Sequence, residues 1–174
     1  GNDVYKCSEI VAREFEIDAY YMDYALIRLD RVAENRTPMK FRTSGEINEN
    51  DELFVIGHPM GLPQKVADNG FVLNDSPALH FITDLDSMMG NSGSPVINKS
   101  TGLVEGILVR GEEDFTWDKT CQRSKVCKGL ECSGESVIRM KTIGELVPEY
   151  KNFYDKLKEE LKEDYVKELD LDKL

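Results

Sequence analysis

Gly90-Asn91-Ser92-Gly93-Ser94-Pro95 is the stretch that decides the fold of this chain, and the apolar pair Val96-Ile97 follows it directly. Ser92 lies next to Gly93 and close to Gly90, and glycines allow the backbone to adopt dihedral angles that other residues avoid. Backbone N–H groups of such a loop can converge on a developing negative charge. The stretch therefore predicts a tight loop that carries a nucleophilic serine. The alternative is a polar turn between two strands.

A second stretch, Asp23-Tyr24-Ala25-Leu26-Ile27-Arg28-Leu29, places an acid just before an apolar run. Together the two stretches resemble the chymotrypsin-fold, trypsin-like serine peptidases of bacterial type. The resemblance implies an all-β, chymotrypsin-like double β-barrel with a C-terminal α-helix. It also implies that Ser92 is the nucleophile, that Asp23 orients a catalytic histidine, and that the N–H groups of Gly90 and Ser92 form the oxyanion hole. The alternative for Asp23 is an ordinary acid before a core strand.

The catalytic histidine is the difficulty, because the order of the family places it before the acid. The two histidines, His58 and His80, both follow Asp23. His58 lies in a turn-rich segment and His80 in an alternating strand pattern. We expect the chain to lack the N-terminal part with the histidine, through truncation in cloning or through cleavage into two chains. The alternative is an inactive pseudoprotease that acts as a protein-binding module. Either way, the chain alone is predicted to be inactive.

The resemblance also suggests a substrate pocket. Trypsin-like enzymes carry an Asp six residues before the nucleophile, which is Asp86 here, and Gly111 matches a glycine of the pocket wall. A buried carboxylate at Asp86 would favour Arg or Lys at the cleaved position. The alternatives are that Asp86 bonds to backbone groups, or that Arg110 pairs with it. Asn91 is uncharged, so the ion pair that activates the digestive enzymes cannot form.

Composition limits the partners. The chain has 174 residues, a net charge of −11 and 40% hydrophobic residues. The acidic balance argues against nonspecific binding to nucleic acid and to anionic membranes. No apolar run is long enough to span a membrane, and no metal or cofactor is implied. The expected partners are a peptide or protein substrate and the N-terminal fragment of the same protein.

Three of the four cysteines, Cys121, Cys127 and Cys132, cluster in a polar stretch. We expect a disulfide between two of them, which implies an oxidising compartment and a secreted or periplasmic protein. Three thiols without a nearby histidine make a poor zinc site. Cys7 is expected to pair with a cysteine in the N-terminal segment that the chain is expected to lack. The alternative is free thiols in a cytoplasmic protein.

The pattern of short apolar runs and turn signals predicts a β-rich domain. Predicted strands cover 4–15, 24–29, 53–56, 65–73, 79–85, 95–98, 103–110 and 137–140. Residues 1–48 are assigned to the remainder of the N-terminal barrel and the connection between barrels, and residues 49–147 to the C-terminal barrel. Residues 148–174 begin with a proline and show apolar residues at helical spacing, which predicts a helix and tail.

Overall fold

The computed structural model describes residues 4–16, 22–126 and 132–147, and this part of the chain is mostly β-structure. The strands are β1 (Cys7–Glu16), β2 (Met22–Leu29), β3 (Glu52–Gly57), β4 (Lys65–Asn74), β5 (His80–Thr83), β6 (Pro95–Asn98), β7 (Val104–Arg110), β8 (Phe115–Asp118), β9 (Cys121–Ser124) and β10 (Glu135–Arg139). A short helix α1 (Met140–Ile143) follows β10, and 3-10 turns cover Pro59–Gly61 and Gly144–Leu146. No helix of the described residues is long and apolar enough to cross a membrane.

Six strands form a closed barrel in the order β10-β5-β4-β3-β6-β7, and each pairs antiparallel with its neighbours. The inward side chains follow from the period of two along a strand. In β3, Leu53 and Val55 are fully buried, whereas the intervening Phe54 is only half-buried. The expected all-β, chymotrypsin-like fold is confirmed by this barrel.

Two hydrophobic clusters lie on the two faces of the barrel wall. The inner cluster includes Phe81, Leu108 and Val137, and the outer cluster includes Val109 and Ile138. Successive residues of β7 and β10 thus enter different clusters, because side chains alternate across a strand. The barrel wall is apolar on both faces here, so another part of the chain must cover the outer face.

The start of β2 covers that outer face. Met22 is buried in the outer cluster, and Tyr24 packs against it. β1 and β2 form a separate two-stranded sheet, so the described residues contain one complete barrel and two strands that precede it. A side-on ion pair between Arg42 and the fully buried Glu105, with an Nη2–Oε1 distance of 2.8 Å, fastens the long connection to the barrel.

The strand predictions agree with eight of the observed strands to within a few residues. The prediction missed the hairpin of β8 and β9, whose residues are mostly exposed and polar. Because neither face of this hairpin is buried, its sequence shows no sustained alternation of apolar and polar residues from which a strand could be predicted. It also missed α1, which is a single turn. The helix predicted from residue 148 lies outside the described residues.

The cysteine predictions need a correction. Cys7 and Cys121 are exposed free thiols, so the disulfide expected between two of the three clustered cysteines does not include Cys121. Cys121 lies in β9, where the hairpin is held by its own strand pairing with β8. A pairing of Cys127 with Cys132 stays a prediction, because Cys127 lies outside the described residues.

Candidate functional site

The loop that carries Ser92 joins β5 to β6 and is shaped by its two glycines. Gly90 and Gly93 have φ angles of +101° and +85°, in the region that favours glycine. The Gly93 N–H donates to the carbonyl of Leu108 on β7 over 2.7 Å, which fixes the loop to the barrel. Ser92 lies between these glycine turns and is exposed. The sequence therefore places an exposed serine on a loop that is hydrogen-bonded to the barrel.

The Ser92 hydroxyl donates to the backbone carbonyl of Val109 over 3.2 Å. A carbonyl oxygen accepts a hydrogen bond but does not remove the proton at neutral pH, so this contact leaves the serine a weak nucleophile. Val109 belongs to the same hydrophobic cluster as Met22, the residue before Asp23. The beginning of β2 is thereby brought towards the nucleophile loop.

Two hydrogen bonds orient the backbone just before Ser92. The Met89 carbonyl accepts from the Met60 N–H over 2.7 Å. Because a trans peptide group points its C=O and N–H in opposite directions, the Gly90 N–H points away from Met60. The Met89 N–H donates to Asp114 Oδ2 over 2.7 Å. Within the described residues neither the Gly90 nor the Ser92 N–H has a hydrogen-bond acceptor, so both are available for a substrate oxygen.

Asn91 is buried beneath the loop rather than facing the site. Its Nδ2 donates to the Ser87 hydroxyl over 3.2 Å, while its Oδ1 has no hydrogen-bond partner among the described residues. A Cβ at Gly57 would overlap with the Asn91 side chain. Glycine at position 57 therefore makes the room that Asn91 occupies.

A cavity of about 620 Å³ opens beside Ser92. Its walls come from the nucleophile loop, β7 with the residues that follow it, the β8–β9 hairpin and the first residue of β10. The lining residues are Ser87, Met88, Met89, Ser92, Leu108, Val109, Arg110, Gly111, Glu112, Glu113, Asp114, Phe115, Trp117, Gln122 and Glu135. Four of them are carboxylates and one is a cation, so the cavity is acidic.

The carboxylates of the cavity differ in their partners. Glu112 accepts from the Ser133 hydroxyl and N–H and from Lys125, which lowers its pKa to about 2. Glu135 is half-buried, and burial raises its pKa to about 7, helped by the charges of Asp114, Asp86 and Glu112. Buried carboxylates without an opposite charge resist ionisation.

This raised pKa predicts how stability depends on pH. A carboxyl whose pKa is about 7 when folded and 4.5 as a free group holds its proton more tightly when folded. Its stabilising contribution is present below about pH 4.5 and is lost as pH rises through about 7. We expect Glu135→Gln to raise the melting temperature at pH 8 by about 2–4 °C, which about 1 kcal/mol produces in a chain of this size after solvent screening. At pH 4 the parent and Glu135→Gln should have the same melting temperature.

Thermal unfolding followed by circular dichroism at pH 4, 6 and 8 measures this difference. Glu113→Gln is the matched control, because Glu113 lines the same cavity but is exposed. If the melting temperatures of Glu135→Gln and the parent differed by the same amount at pH 4 and at pH 8, the prediction would be wrong.

The structure places the predicted site residues unequally. Ser92 and Gly111 line the cavity, and Gly90 lies in the same loop between the lining residues Met89 and Ser92. Asp86 is exposed and does not line it. Asp23 is half-buried at the start of β2, outside the cavity lining.

Neither histidine lines the cavity. His58 is exposed, precedes the Pro59–Gly61 turn as predicted, and its Nδ1 lies 3.2 Å from the Leu62 carbonyl. His80 lies in β5, where burial and the charges of Arg139 and Arg110 lower its pKa.

Three residues of the candidate site were missed by the sequence analysis. Met60, Asp114 and Glu135 reach the site from segments far from the serine motif in the chain. Asp114 ends a run of three acids at 112–114, and no local pattern separates it from the other two. Glu135 lies in a polar stretch in which no local pattern marks it as a site residue.

Comparisons with known proteins agree with this geometry. The family model of the trypsin-like peptidase domain matches residues 6–107. No curated protein matches the chain. Among solved structures, a mutant of Rv3671c from M. tuberculosis in its inactive form has a TM-score of 0.55 at 14% identity, over 84% of this chain and 65% of that one.

The active form of the Rv3671c protease has a TM-score of 0.50 at 14% identity, over 71% of this chain and 52% of that one. This chain therefore spans less than two thirds of the length of either structure. At such identity the likeness shows the fold alone.

Proposed function

Because the chain belongs to the trypsin-like peptidase domain family, we propose that it carries the nucleophile of a serine endopeptidase that cleaves after Arg or Lys through a Ser/His/Asp triad. The observation that carries this proposal is the exposed Ser92 hydroxyl, on a loop held by two positive-φ glycines, at the edge of an acidic cavity. A serine peptidase is the function that the family and the fold support in general. The triad and the preference for basic residues are the proposed refinements.

In this proposal Ser92 attacks the scissile carbonyl carbon, and its proton passes to a histidine. The carbonyl oxygen becomes negatively charged and accepts hydrogen bonds from the N–H groups of Gly90 and Ser92. Such preorganised donors stabilise the transition state because they need no reorientation when the charge develops. The Met60–Met89 hydrogen bond holds the Gly90 N–H in its orientation before substrate arrives.

We place the histidine in a segment outside these 174 residues, on the same protein or on its cleaved N-terminal fragment. Asp23 then orients the imidazole from the start of β2 and stabilises its protonated form. Supporting this, neither His58 nor His80 lines the cavity. The neutral Asn91 is held by Ser87, so the loop needs no ion pair with a newly formed N-terminus to keep its shape.

A protein-binding module is the second candidate. The observation that favours it is the Ser92 hydroxyl bonded to the Val109 carbonyl rather than to a base. A module of this kind would bind peptides in the acidic cavity without cleaving them. The intact reading frame discriminates the two candidates, since a histidine in an upstream Thr-Ala-x-His-like segment is needed only by the enzyme.

A peptide library tests the proposal on the complete protein encoded by that reading frame. We expect cleavage after Arg or Lys, and its loss in Ser92→Ala, because the variant lacks the attacking oxygen. Mass spectrometry of the products locates the cleaved bonds. Cleavage after Glu or large apolar residues would overturn the basic preference, and cleavage that survives Ser92→Ala would overturn the assignment of the nucleophile.

A further inference from the structure

Among the described residues, the acidic cavity beside Ser92 has one half-buried carboxylate that has no hydrogen-bond or ion-pair partner. Glu112 is engaged by Ser133 and Lys125, and Asp114 by the Met89 N–H. Glu113 is exposed. For Glu135, no hydrogen bond or ion pair is found within residues 4–16, 22–126 and 132–147. Within the part of the chain that the structure describes, the cavity therefore contains a carboxylate that accepts no hydrogen bond.

Glu135 also lies beside Gly111 in the wall of the cavity. A Cβ at Gly111 would overlap with the Glu135 carboxylate, so the glycine opens the space in which this carboxylate lies. Because side chains alternate across a strand, Glu135 is on the same face of β10 as Val137, which lies in the inner cluster. Both Glu135 and Gly111, beside which its carboxylate lies, belong to the cavity lining.

We propose that Glu135, rather than Asp86, is the residue that selects a basic side chain in this cavity, by pairing with the guanidinium or ammonium group of the substrate. The inference rests on the proposed function, whose substrate it specifies. Asp86 is exposed and outside the lining, and its charge acts on the cavity only from a distance. Met88, Leu108 and Val109 supply an apolar wall for the methylene stem of an Arg or Lys.

The energetics favour a cation over a neutral guest. An unpaired, partly desolvated carboxylate is costly, and an opposite charge removes that cost as it binds. The neighbouring carboxylates Asp86, Glu112 and Asp114 disfavour the free Glu135 anion, and the same charges attract a bound cation. In the described residues no three His, Cys, Asp or Glu side chains are arranged to hold a metal ion. The carboxylates and the apolar wall of the cavity together suit an organic cation with a methylene stem.

Binding of p-aminobenzamidine, a fluorescent amidinium, to the 174-residue chain at pH 8 tests the inference without requiring catalysis. We expect Glu135→Gln to weaken its binding by roughly 30-fold, the low end of the range for removing one partner of a buried charge pair. Asp86→Asn, the matched control that removes a nearby exposed charge, should weaken it less than about threefold. The neutral analogue p-aminobenzamide should bind Glu135→Gln and the parent equally weakly.

Loss of folding cannot explain weaker binding in Glu135→Gln, because this variant is expected to be more stable than the parent at pH 8. Glu135→Asp retains the negative charge and serves as a further comparison. No binding of the probe to the parent chain would overturn the inference. Equal losses of affinity for the probe in Glu135→Gln and Asp86→Asn would overturn the inference too. Displacement of the probe by submillimolar calcium would also overturn it. Failure of the peptidase proposal has a different signature: Glu135-dependent binding persists, but the complete protein shows no Ser92-dependent cleavage.

Discussion

The isolated 174-residue chain is expected to hydrolyse a peptide ester negligibly, and Ser92→Ala should change its rate by no more than a few-fold. The physical reason is the Ser92 hydroxyl, which donates to the Val109 carbonyl instead of to a base. Enzymes of this kind that lack one triad member retain only about 10³–10⁴-fold catalysis over water, from the oxyanion hole and substrate binding.

In the complete protein, Ser92→Ala should lower the rate of hydrolysis far more than it does in the isolated chain. With the histidine in place, we expect Ser92→Ala to lower kcat by about 10⁶-fold, as loss of the nucleophile does in another serine peptidase. Ester hydrolysis followed by absorbance measures both proteins side by side. Robust, Ser92-dependent turnover by the isolated chain would contradict the prediction. His58→Ala and His80→Ala would then show which histidine of this chain acts as the base.

Gly90→Ala should lower kcat of the complete protein by about 10²–10³-fold with a smaller change in KM. Gly90 has a φ of +101°, and an added Cβ would lie 2.9 Å from the Met60 nitrogen and 3.1 Å from the His58 oxygen. Both neighbours are backbone atoms, so the loop itself must move, and the Gly90 N–H moves with it. Removing one oxyanion donor costs about 2.7–4 kcal/mol of transition-state stabilisation.

Gly93→Ala is the matched control for this prediction. Gly93 has a φ of +85°, but nothing lies within 4 Å of the position that its Cβ would take. The control therefore carries the backbone strain, about 1–2 kcal/mol, without the collision beside Met60. Steady-state kinetics and thermal melts of both variants separate the two effects. Equal losses of kcat in Gly90→Ala and Gly93→Ala would mean that the Gly90 N–H is not an oxyanion donor.

The strands of the barrel and the nucleophile loop were predictable because their signals are local. β6 and β7 show as apolar runs on either side of a turn, and the glycines flanking Ser92 mark a loop of unusual backbone angles. The hairpin of β8 and β9 has no such signal, because it buries no face of its own.

The order of residues along the chain thus determined the β-rich class, the position of the serine and the family resemblance. These features depend on the alternation of apolar side chains along a strand and on glycines at particular positions. Both can be recognised from residues that are close together in the sequence. Only the tertiary structure decided which acids line the cavity beside Ser92: Glu112, Glu113, Asp114 and Glu135 do, whereas Asp86, the acid that the sequence analysis favoured, does not. Closing the barrel brings β10 beside β7, and that pairing joins residues too distant in the chain for any local pattern to relate them.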